Sequence, residues 1–214
     1  MRLIRTEKEV FTLEGVPLPN EKLLDEVAAE VVVCTKCLLS KTRTKAVPGV
    51  GSSAAQIMFI GEAPGQSEDA KGEPFVGAAG KFLDALLSGI GLLREQVFIT
   101  NVVKCRPPRN REPMPLEVKT CTPYLDRQIR ILQPKFIVTL GNNSTAYIFS
   151  KVNLSFTGIT RVRGEFFKAS LLGMQVVIFP TFHPAAALYN EKYKEQLAED
   201  FQLLGRELKK NMIG

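Results

Sequence analysis

The segment Ile57-Met-Phe-Ile-Gly-Glu-Ala-Pro-Gly65 joins an unbroken apolar run to a turn that contains glycine and proline. Consecutive apolar residues are typical of a parallel strand that is buried on both faces, whereas a half-exposed strand alternates. Gly61 and Gly65 allow a tight turn and a close approach between a ligand and backbone N–H groups. We therefore predict a buried strand that ends in a loop able to meet a ligand.

Three further apolar runs resemble the first, and helical patterns separate them. The predicted strands are residues 57–60, 97–100, 136–140 and 176–179. The predicted helices are residues 23–33, 80–87, 116–132, 143–149 and 191–210. Alternation of strand and helix is typical of a parallel sheet that helices cover on both faces. We predict an α/β fold, a three-layer αβα sandwich around a four-stranded parallel β-sheet, with a hairpin in residues 161–179 that turns at Leu172-Gly173.

The chain has four cysteines in two separated pairs. Cys34 and Cys37 form a Cys-x-x-Cys motif, and Cys105 and Cys121 follow later. Four thiolates from two loops can close one site for zinc or for an iron–sulfur cluster. Two disulfides and unligated buried thiols are the alternatives. A zinc site of two cysteines and two histidines is excluded, because the only histidine is His183, far away in sequence.

Length and composition fit a globular protein. The 214 residues suit one domain, and a hydrophobic content of 45% is enough for a sizeable core. The N-terminus lacks the apolar stretch of a signal peptide, and no run is long enough to span a membrane. We therefore expect a cytoplasmic protein, in which thiols stay reduced and available to metal. We predict a single domain over residues 21–214, preceded by an N-terminal arm over residues 1–20.

Basic residues concentrate around the cysteines, and the formal net charge is +6. Lys36 and Arg43 lie near the first pair, and Lys104, Arg106 and Arg109 surround the third cysteine. If one metal site gathers these loops, it also gathers their positive charge onto one surface. Such a surface permits a polyanionic partner. Ordinary solvated loop charges are the alternative.

Polar residues follow three of the predicted strands at the point where each strand ends. Glu62 follows the first, Asn101 the second and His183 the fourth. Because ligands bind beyond the carboxyl ends of strands in open parallel sheets, we expect these side chains to converge on one crevice. Alone, each has an ordinary role as a solvated, turn-forming or structural residue. Phe75, in a loop rich in turn residues, either packs in the core or stacks on a planar ligand.

Two common nucleotide motifs are missing from the sequence. The turn after the first strand has no Gly-Lys-Ser/Thr, and the sequence has no GxGxxG fingerprint. Triphosphate and dinucleotide ligands are therefore not favoured.

Taken together, the motifs resemble those of a known family. They are Gly61-Glu-Ala-Pro-Gly65, Pro74-Phe-Val-Gly-x-x-Gly80, Thr100-Asn-x-x-Lys-Cys-Arg-Pro-Pro108, Phe182-His-Pro184 and the four spaced cysteines. In this order they resemble the family 4 uracil-DNA glycosylases, the iron–sulfur uracil-excising enzymes of thermophilic bacteria and archaea. The resemblance extends from about Cys34 to the C-terminal helix. The family fold is a four-stranded parallel sheet between helices. The first motif has Glu62 early and lacks the aspartate that family 1 enzymes place there.

The resemblance implies an enzyme that flips uracil out of DNA, hydrolyses its N-glycosidic bond and leaves an abasic site for base excision repair. The implied contacts to uracil come from Glu62, Ala63, Pro64, Phe75, Asn101 and His183. Among these, Glu62 and His183 would be catalytic. Glu62 would handle water or the developing sugar cation, and His183 would donate to uracil O2. Phe75 would stack on the base, and Asn101 would read N3 and O4.

The resemblance also implies a cofactor and partners. The four cysteines would ligate a 4Fe-4S cluster with a structural role, since hydrolysis needs no electrons. Lys36, Arg43, Lys104, Arg106 and Arg109 would contact the DNA backbone. The expected partner is uracil-containing DNA, single- or double-stranded, with a replication clamp as a further candidate and no membrane. We expect a monomer.

Two alternatives belong to other classes: a non-enzymatic DNA-binding module with a four-cysteine metal site, and an electron carrier. An electron carrier would not need polar residues at three strand ends. Within the family reading, residues 185–189 are expected to wedge into the duplex. Glu68 is expected to crowd the C5 position of the base and so exclude thymine.

Overall fold

A computed structural model describes residues 4–5, 10–11 and 19–212 of the protein, with side chains for residues 19–210. The central sheet contains β3 (Val50–Gly51), β4 (Ile57–Gly61), β5 (Phe98–Asn101), β6 (Phe136–Leu140), β7 (Phe167–Leu171) and β8 (Met174–Thr181). Near the N-terminus, β1 (Ile4–Arg5) pairs with β2 (Val10–Phe11). Most of the predicted N-terminal arm lies outside the described residues.

Seven α-helices occur in the part of the chain that the structure describes. They are α1 (Asn20–Val32), α2 (Gln66–Lys71), α3 (Ala78–Gly89), α4 (Pro115–Leu132), α5 (Asn142–Lys151), α6 (Ile159–Val162) and α7 (Glu191–Met212). The five predicted helices correspond to α1, α3, α4, α5 and α7. Over the same residues, none of the helices has the length and apolar character needed to cross a bilayer.

The predicted parallel sheet is confirmed and extended. The strand order is β3-β5-β4-β6-β8-β7, and the four inner strands pair in parallel. β3 and β7 add an antiparallel strand at each edge. β7 and β8 form the predicted hairpin, whose turn residues Leu172 and Gly173 both have positive φ angles. β3 was not predicted, because two residues are too few to show a periodic pattern.

Helices cover both faces of the sheet, which confirms the three-layer sandwich. Side chains alternate along β4, so that Met58 and Ile60 join one apolar cluster while Phe59 joins another. The first cluster contains residues of α1, α4 and α5, and the second contains residues of α3 and α7. Each fully buried side chain of this size contributes about 1.5–3 kcal/mol to stability. The two clusters therefore hold the parallel strands rigidly in register.

The strand order determines where in the sheet a ligand site can form. The chain leaves β4 for β5 on one side and later returns to β6 on the other, so a crevice opens beyond the carboxyl end of β4. Gly61 pairs with Asn101 at the ends of β4 and β5. Beyond this pair, the N–H of Val102 donates to the Gly61 carbonyl at 2.9 Å, and the N–H of Val103 donates to the Glu62 carbonyl at 3.1 Å. These bonds fix the two loops side by side.

Candidate active site

A cavity of about 300 Å³ opens at the carboxyl edge of the parallel strands. Its lining includes every residue expected to contact uracil, namely Glu62, Ala63, Pro64, Phe75, Asn101 and His183. The structure therefore brings together side chains that lie up to 121 positions apart in the sequence. Further lining residues are Gly65, Glu68, Ala79, Pro107, Asn110, Arg111 and Ala185.

Asn101 presents an unpaired acceptor to this cavity. Its side chain is buried, and Oδ1 has no hydrogen-bond partner among the groups that the structure describes. A buried polar atom without a partner costs about 1–3 kcal/mol, so native proteins rarely keep one without a reason. The arrangement is suited to a ligand that brings a donor to Oδ1.

His183 is held as a neutral ring with its proton on Nε2. Nδ1 accepts a hydrogen bond from the N–H of Ala185 at 3.1 Å, so in the neutral ring the proton lies on Nε2. Burial lowers the pKa of His183 to about 4, and the nearby Glu68 opposes this only in part. At neutral pH the imidazole can therefore donate a hydrogen bond through Nε2 without carrying a charge.

Phe75 is both a core residue and a wall of the cavity. Its ring is almost completely buried, yet one side lines the cavity beside the His183 ring, with centroids 5.4 Å apart and planes 27° apart. Its φ of 51° is uncommon for an aromatic residue. The two interpretations of Phe75, core packing and stacking on a ligand, are therefore compatible.

Hydrogen bonds from side chains hold the backbone on both sides of Phe75. Glu68 Oε1 accepts from the N–H groups of Val76 and Gly77, each at 2.9 Å. On the other side, Arg94 donates to the Pro74 carbonyl. One Glu68 oxygen is thus engaged with backbone, while the residue still lines the cavity. Its expected contact with the C5 position of the base stays a prediction.

Glu62 lies half-buried at the end of β4. Burial raises the pKa of this carboxyl, the side chain of Asn143 opposes the rise, and Glu112 adds to it. Asn143 was missed from the sequence, although it lies three residues after the end of β6, at the same edge of the sheet as Asn101 at the end of β5. Attention to every strand end would have found it.

A loop between the third and fourth cysteines forms another wall that the sequence did not predict. Arg111 lines the cavity and donates to both carboxylate oxygens of Glu117, at 2.9 and 2.7 Å. Glu117 also accepts from the N–H of Met114, which caps the first turn of α4. The cavity wall is therefore tied to the helix that carries Cys121. The prolines before Arg111 were the only sequence signal of a fixed loop.

All four cysteines are free thiols that line one narrow cavity. Among the side chains of residues 19–210, no three Cys, His, Asp or Glu are arranged as a ready-made site for a single ion. Arg43 donates to the Cys105 sulfur at 2.9 Å, and the N–H of Lys104 donates to the Cys121 sulfur at 3.2 Å. Burial raises the pKa of Cys121 to about 11. Four sulfurs in one cavity, with donors to two of them, fit a cysteine-ligated cluster.

The predicted phosphate contact of Lys104 is wrong, because this side chain is buried. It is 1% exposed, and Nζ donates to Thr100 Oγ1, to the Asn101 carbonyl and to Gln128 Oε1, at 2.5, 2.9 and 2.7 Å. Burial lowers the pKa of Lys104 to about 7. The apolar run of the preceding strand continues into the turn and carries the lysine inward.

The other basic residues expected to contact DNA differ in exposure and in the partners that they already have. Arg43 is half-buried, and its second terminal nitrogen donates to the Val32 carbonyl. Lys36 is exposed above the ring of Tyr124, at 4.9 Å from its centroid. Arg106 and Arg109 lie on the loop beside the cavity, and Arg109 is exposed. Arg43 is therefore mainly a partner of the cysteine centre, whereas the other three can meet an anionic ligand.

Comparison with known proteins identifies the family. The family model of the uracil DNA glycosylase superfamily matches residues 48–204. A type-4 uracil-DNA glycosylase of Sulfurisphaera tokodaii is 55% identical over 86% of this chain and 84% of its own length. One from Archaeoglobus fulgidus is 50% identical, covering 85% of this chain and 92% of its own. One from Thermotoga maritima is 44% identical, covering 80% and 86%. The chain therefore belongs to the uracil DNA glycosylase superfamily and, within it, to the type-4 uracil-DNA glycosylases.

Proposed function

We propose that the protein excises uracil from DNA by hydrolysing the N-glycosidic bond, which leaves an abasic site for repair. The unpaired Oδ1 of Asn101 carries the proposal, since it supplies an acceptor at a buried point of the cavity. Uracil offers an N3–H donor beside the O4 acceptor, which matches the oxygen and the NH2 of one amide. Cytosine presents the reverse pattern and would leave these groups unpaired, a large penalty in a buried site.

The surrounding residues suit the charges that develop during the reaction. A base inside a duplex is out of reach, so it must first rotate into the cavity, where Phe75 can stack on it. As the bond to the sugar breaks, negative charge grows on the base and positive charge on the sugar. The neutral His183 donates through Nε2 to uracil O2 and stabilises the anion. The Glu62 carboxylate stabilises the cation or orients the water.

The four cysteines are proposed to hold a 4Fe-4S cluster. When bound, the cluster would stabilise the structure and would take no part in the hydrolysis. Cys105 begins the loop that places Arg111 in the cavity wall, and Cys121 lies in α4, to which Arg111 is tied through Glu117. Fixing these two sulfurs at one centre fixes both ends of that loop.

DNA is the proposed partner. Lys36, Arg106 and Arg109 are the candidate contacts to its phosphates, and their neutralisation would make binding salt-dependent. The relatives are named as glycosylases, which does not favour the alternative of a non-enzymatic DNA-binding module. A clamp partner, the wedging role of residues 185–189 and the monomeric state stay predictions.

The test is release of free base from an oligonucleotide that carries a single uracil, with a matched oligonucleotide that carries thymine. We expect free uracil from the first and no free base from the second. A preparation of the Glu62→Ala, His183→Ala double variant controls for contaminating enzymes. Tight DNA binding without release of uracil would instead identify a binding module.

The cofactor has its own test. Protein purified without air is expected to be brown, with a broad visible absorption and about four irons and four sulfides per chain. Replacing Cys121 by alanine is expected to lower the thermal unfolding temperature and iron content more than it changes base choice. Colourless, active protein with stoichiometric zinc would overturn the assignment.

A further inference from the structure

Lys104 has every polar group of its side chain and backbone engaged inside the protein. In its charged form the Nζ group has three N–H donors, and three oxygen atoms of neutral groups accept them. The backbone carbonyl accepts from the N–H of Val47 at 2.7 Å. A buried lysine is costly unless it is fully hydrogen-bonded, so this position is built to hold one.

One of the three acceptors belongs to the residue that faces the base cavity. The Nζ group donates to the backbone carbonyl of Asn101, and the side chain of that residue carries the unpaired Oδ1. A hydrogen bond to the carbonyl restricts rotation of the peptide that follows Asn101. The bond from the Val102 N–H to the Gly61 carbonyl holds the other end of the same peptide, and together the two bonds restrict the direction in which the Asn101 amide points.

The other two acceptors anchor the lysine to rigid elements. Thr100 Oγ1 also donates to the Pro48 carbonyl at 2.9 Å, and Gln128 Nε2 donates to the same carbonyl at 2.8 Å. Gln128 lies on α4, the helix that carries Cys121. Strand β5, the turn before β3 and helix α4 therefore meet at the ammonium group.

The same residue borders the cysteine centre. Lys104 lines the cavity of the four cysteines, and its N–H donates to the Cys121 sulfur at 3.2 Å. One residue thus contacts a sulfur ligand through its backbone and the cavity-facing asparagine through its side chain. No other basic residue in residues 19–210 is as buried.

We propose that Lys104 is a positioning residue for base recognition, which aligns the Asn101 amide in the cavity and links that alignment to the cysteine centre. The proposal rests on the proposed uracil-excising function. It assigns to Lys104 no contact with the base and no proton transfer. Its effect on excision passes through Asn101 alone.

The test is a double-mutant cycle of Lys104→Met and Asn101→Ala, read by single-turnover excision at saturating enzyme. Methionine keeps the length and apolar volume of the lysine stem but removes all three donors. In the parent, Lys104→Met is expected to lower the excision rate by about ten- to hundredfold. In the Asn101→Ala background, the same change is expected to lower the residual rate by less than about threefold. Lys135→Met, an exposed lysine at the opposite end of the sheet, is the matched control.

The outcomes separate this proposal from the function itself. If the parent releases no uracil, the proposed function fails. If the parent is active and Lys104→Met lowers the rate by the same factor in both backgrounds, the lysine is merely structural and the inference is overturned. An unchanged rate also overturns it. Iron content and unfolding temperature of each variant show whether the cysteine centre survives.

A second variant covers the case in which Lys104→Met does not fold. Thr100→Val is nearly isosteric and removes one acceptor of the Nζ group. It is expected to lower excision by a smaller factor and to show the same dependence on Asn101. An equal loss with and without the Asn101 side chain would contradict the proposal.

Discussion

Gly61 and Asn101 pair across β4 and β5, and the missing side chain of Gly61 leaves the space in which the Asn101 amide lies. A Cβ atom on Gly61 would collide with Asn101 Oδ1 and would stand 2.7 Å from the Phe75 ring. The glycine is therefore required for close approach and not for a left-handed backbone. It lets the amide and the ring border the same cavity.

Replacing Gly61 by alanine is expected to lower single-turnover excision by at least about tenfold, because the amide and the ring must both shift by more than packed groups allow. Gly89→Ala is the control, since no atom outside its chain neighbours and its own helix backbone lies within 4 Å of the position of its Cβ. Excision rates of the two variants at saturating enzyme make the comparison. Parental activity in Gly61→Ala would show that neither group needs its present position.

His183→Ala is expected to lower excision by about 2–4 kcal/mol of transition-state stabilisation while preserving affinity for uracil-containing DNA. The ring should also titrate with a pKa of about 4, because burial disfavours its charged form. His183 is the only histidine, so one imidazole NMR signal of the untagged protein reports this pKa. A pKa near the ordinary value of 6.5 would contradict a ring kept neutral by partial burial.

Glu62 is expected to set the acid limb of the pH–rate profile. Burial raises its pKa above the ordinary value of 4.5, so the ionised form and the rate are lost as pH falls through that raised value. In Glu62→Gln the rate should be lower, and the acid limb that comes from Glu62 should be lost. Asn143→Ala removes a hydrogen bond that lowers the pKa of Glu62, so the acid limb of this variant's pH–rate profile should move to higher pH. A limb that stays unchanged in Glu62→Gln would refute this role.

Arg106→Ala and Arg109→Ala are each expected to weaken DNA binding and to reduce the slope of log K against log salt by about one. Arg206→Ala is the matched control. The preceding residue, Gly205, packs on Ile90 beyond the end of α3 that is remote from the cavity. Binding isotherms at several salt concentrations give the slopes. Equal salt slopes for all three variants would show that the loop with Arg106 and Arg109 does not contact DNA phosphates.

The sequence was sufficient to predict the elements that have long patterns. Residues 136–140 were predicted with the bounds of β6, because a short run of apolar and β-branched residues is typical of a buried strand. Convergence of Glu62, Asn101 and His183 followed from one rule about parallel strands. In each case the signal was local or topological.

What could not be predicted depends on contacts between distant residues. The burial of Lys104 requires Gln128, which lies 24 positions away on another element. A lysine in front of Cys-Arg-Pro-Pro is ordinarily expected at the surface, and no local pattern distinguishes the two cases. Arg111 reached the cavity wall unpredicted for a similar reason, since its place is fixed by Glu117 and the start of α4.

Asn101 is proposed to read uracil through its amide. Asn101→Asp replaces the NH2 donor by an oxygen, and an ionised carboxylate would repel uracil O4 but could accept from the exocyclic amine of cytosine. Asn153→Asp, at an exposed position after α5, is the control for the added charge. Stacking on Phe75 does not distinguish the bases, so it stays the same in both variants.

The measurement is the excision rate of the parent and both variants on matched oligonucleotides that carry uracil, cytosine or thymine at one position. We expect Asn101→Asp to lose uracil excision and to gain cytosine excision above background, and we expect Asn153→Asp to behave as the parent. Full uracil activity in Asn101→Asp would show that Asn101 does not read the base and is an ordinary residue at a strand end.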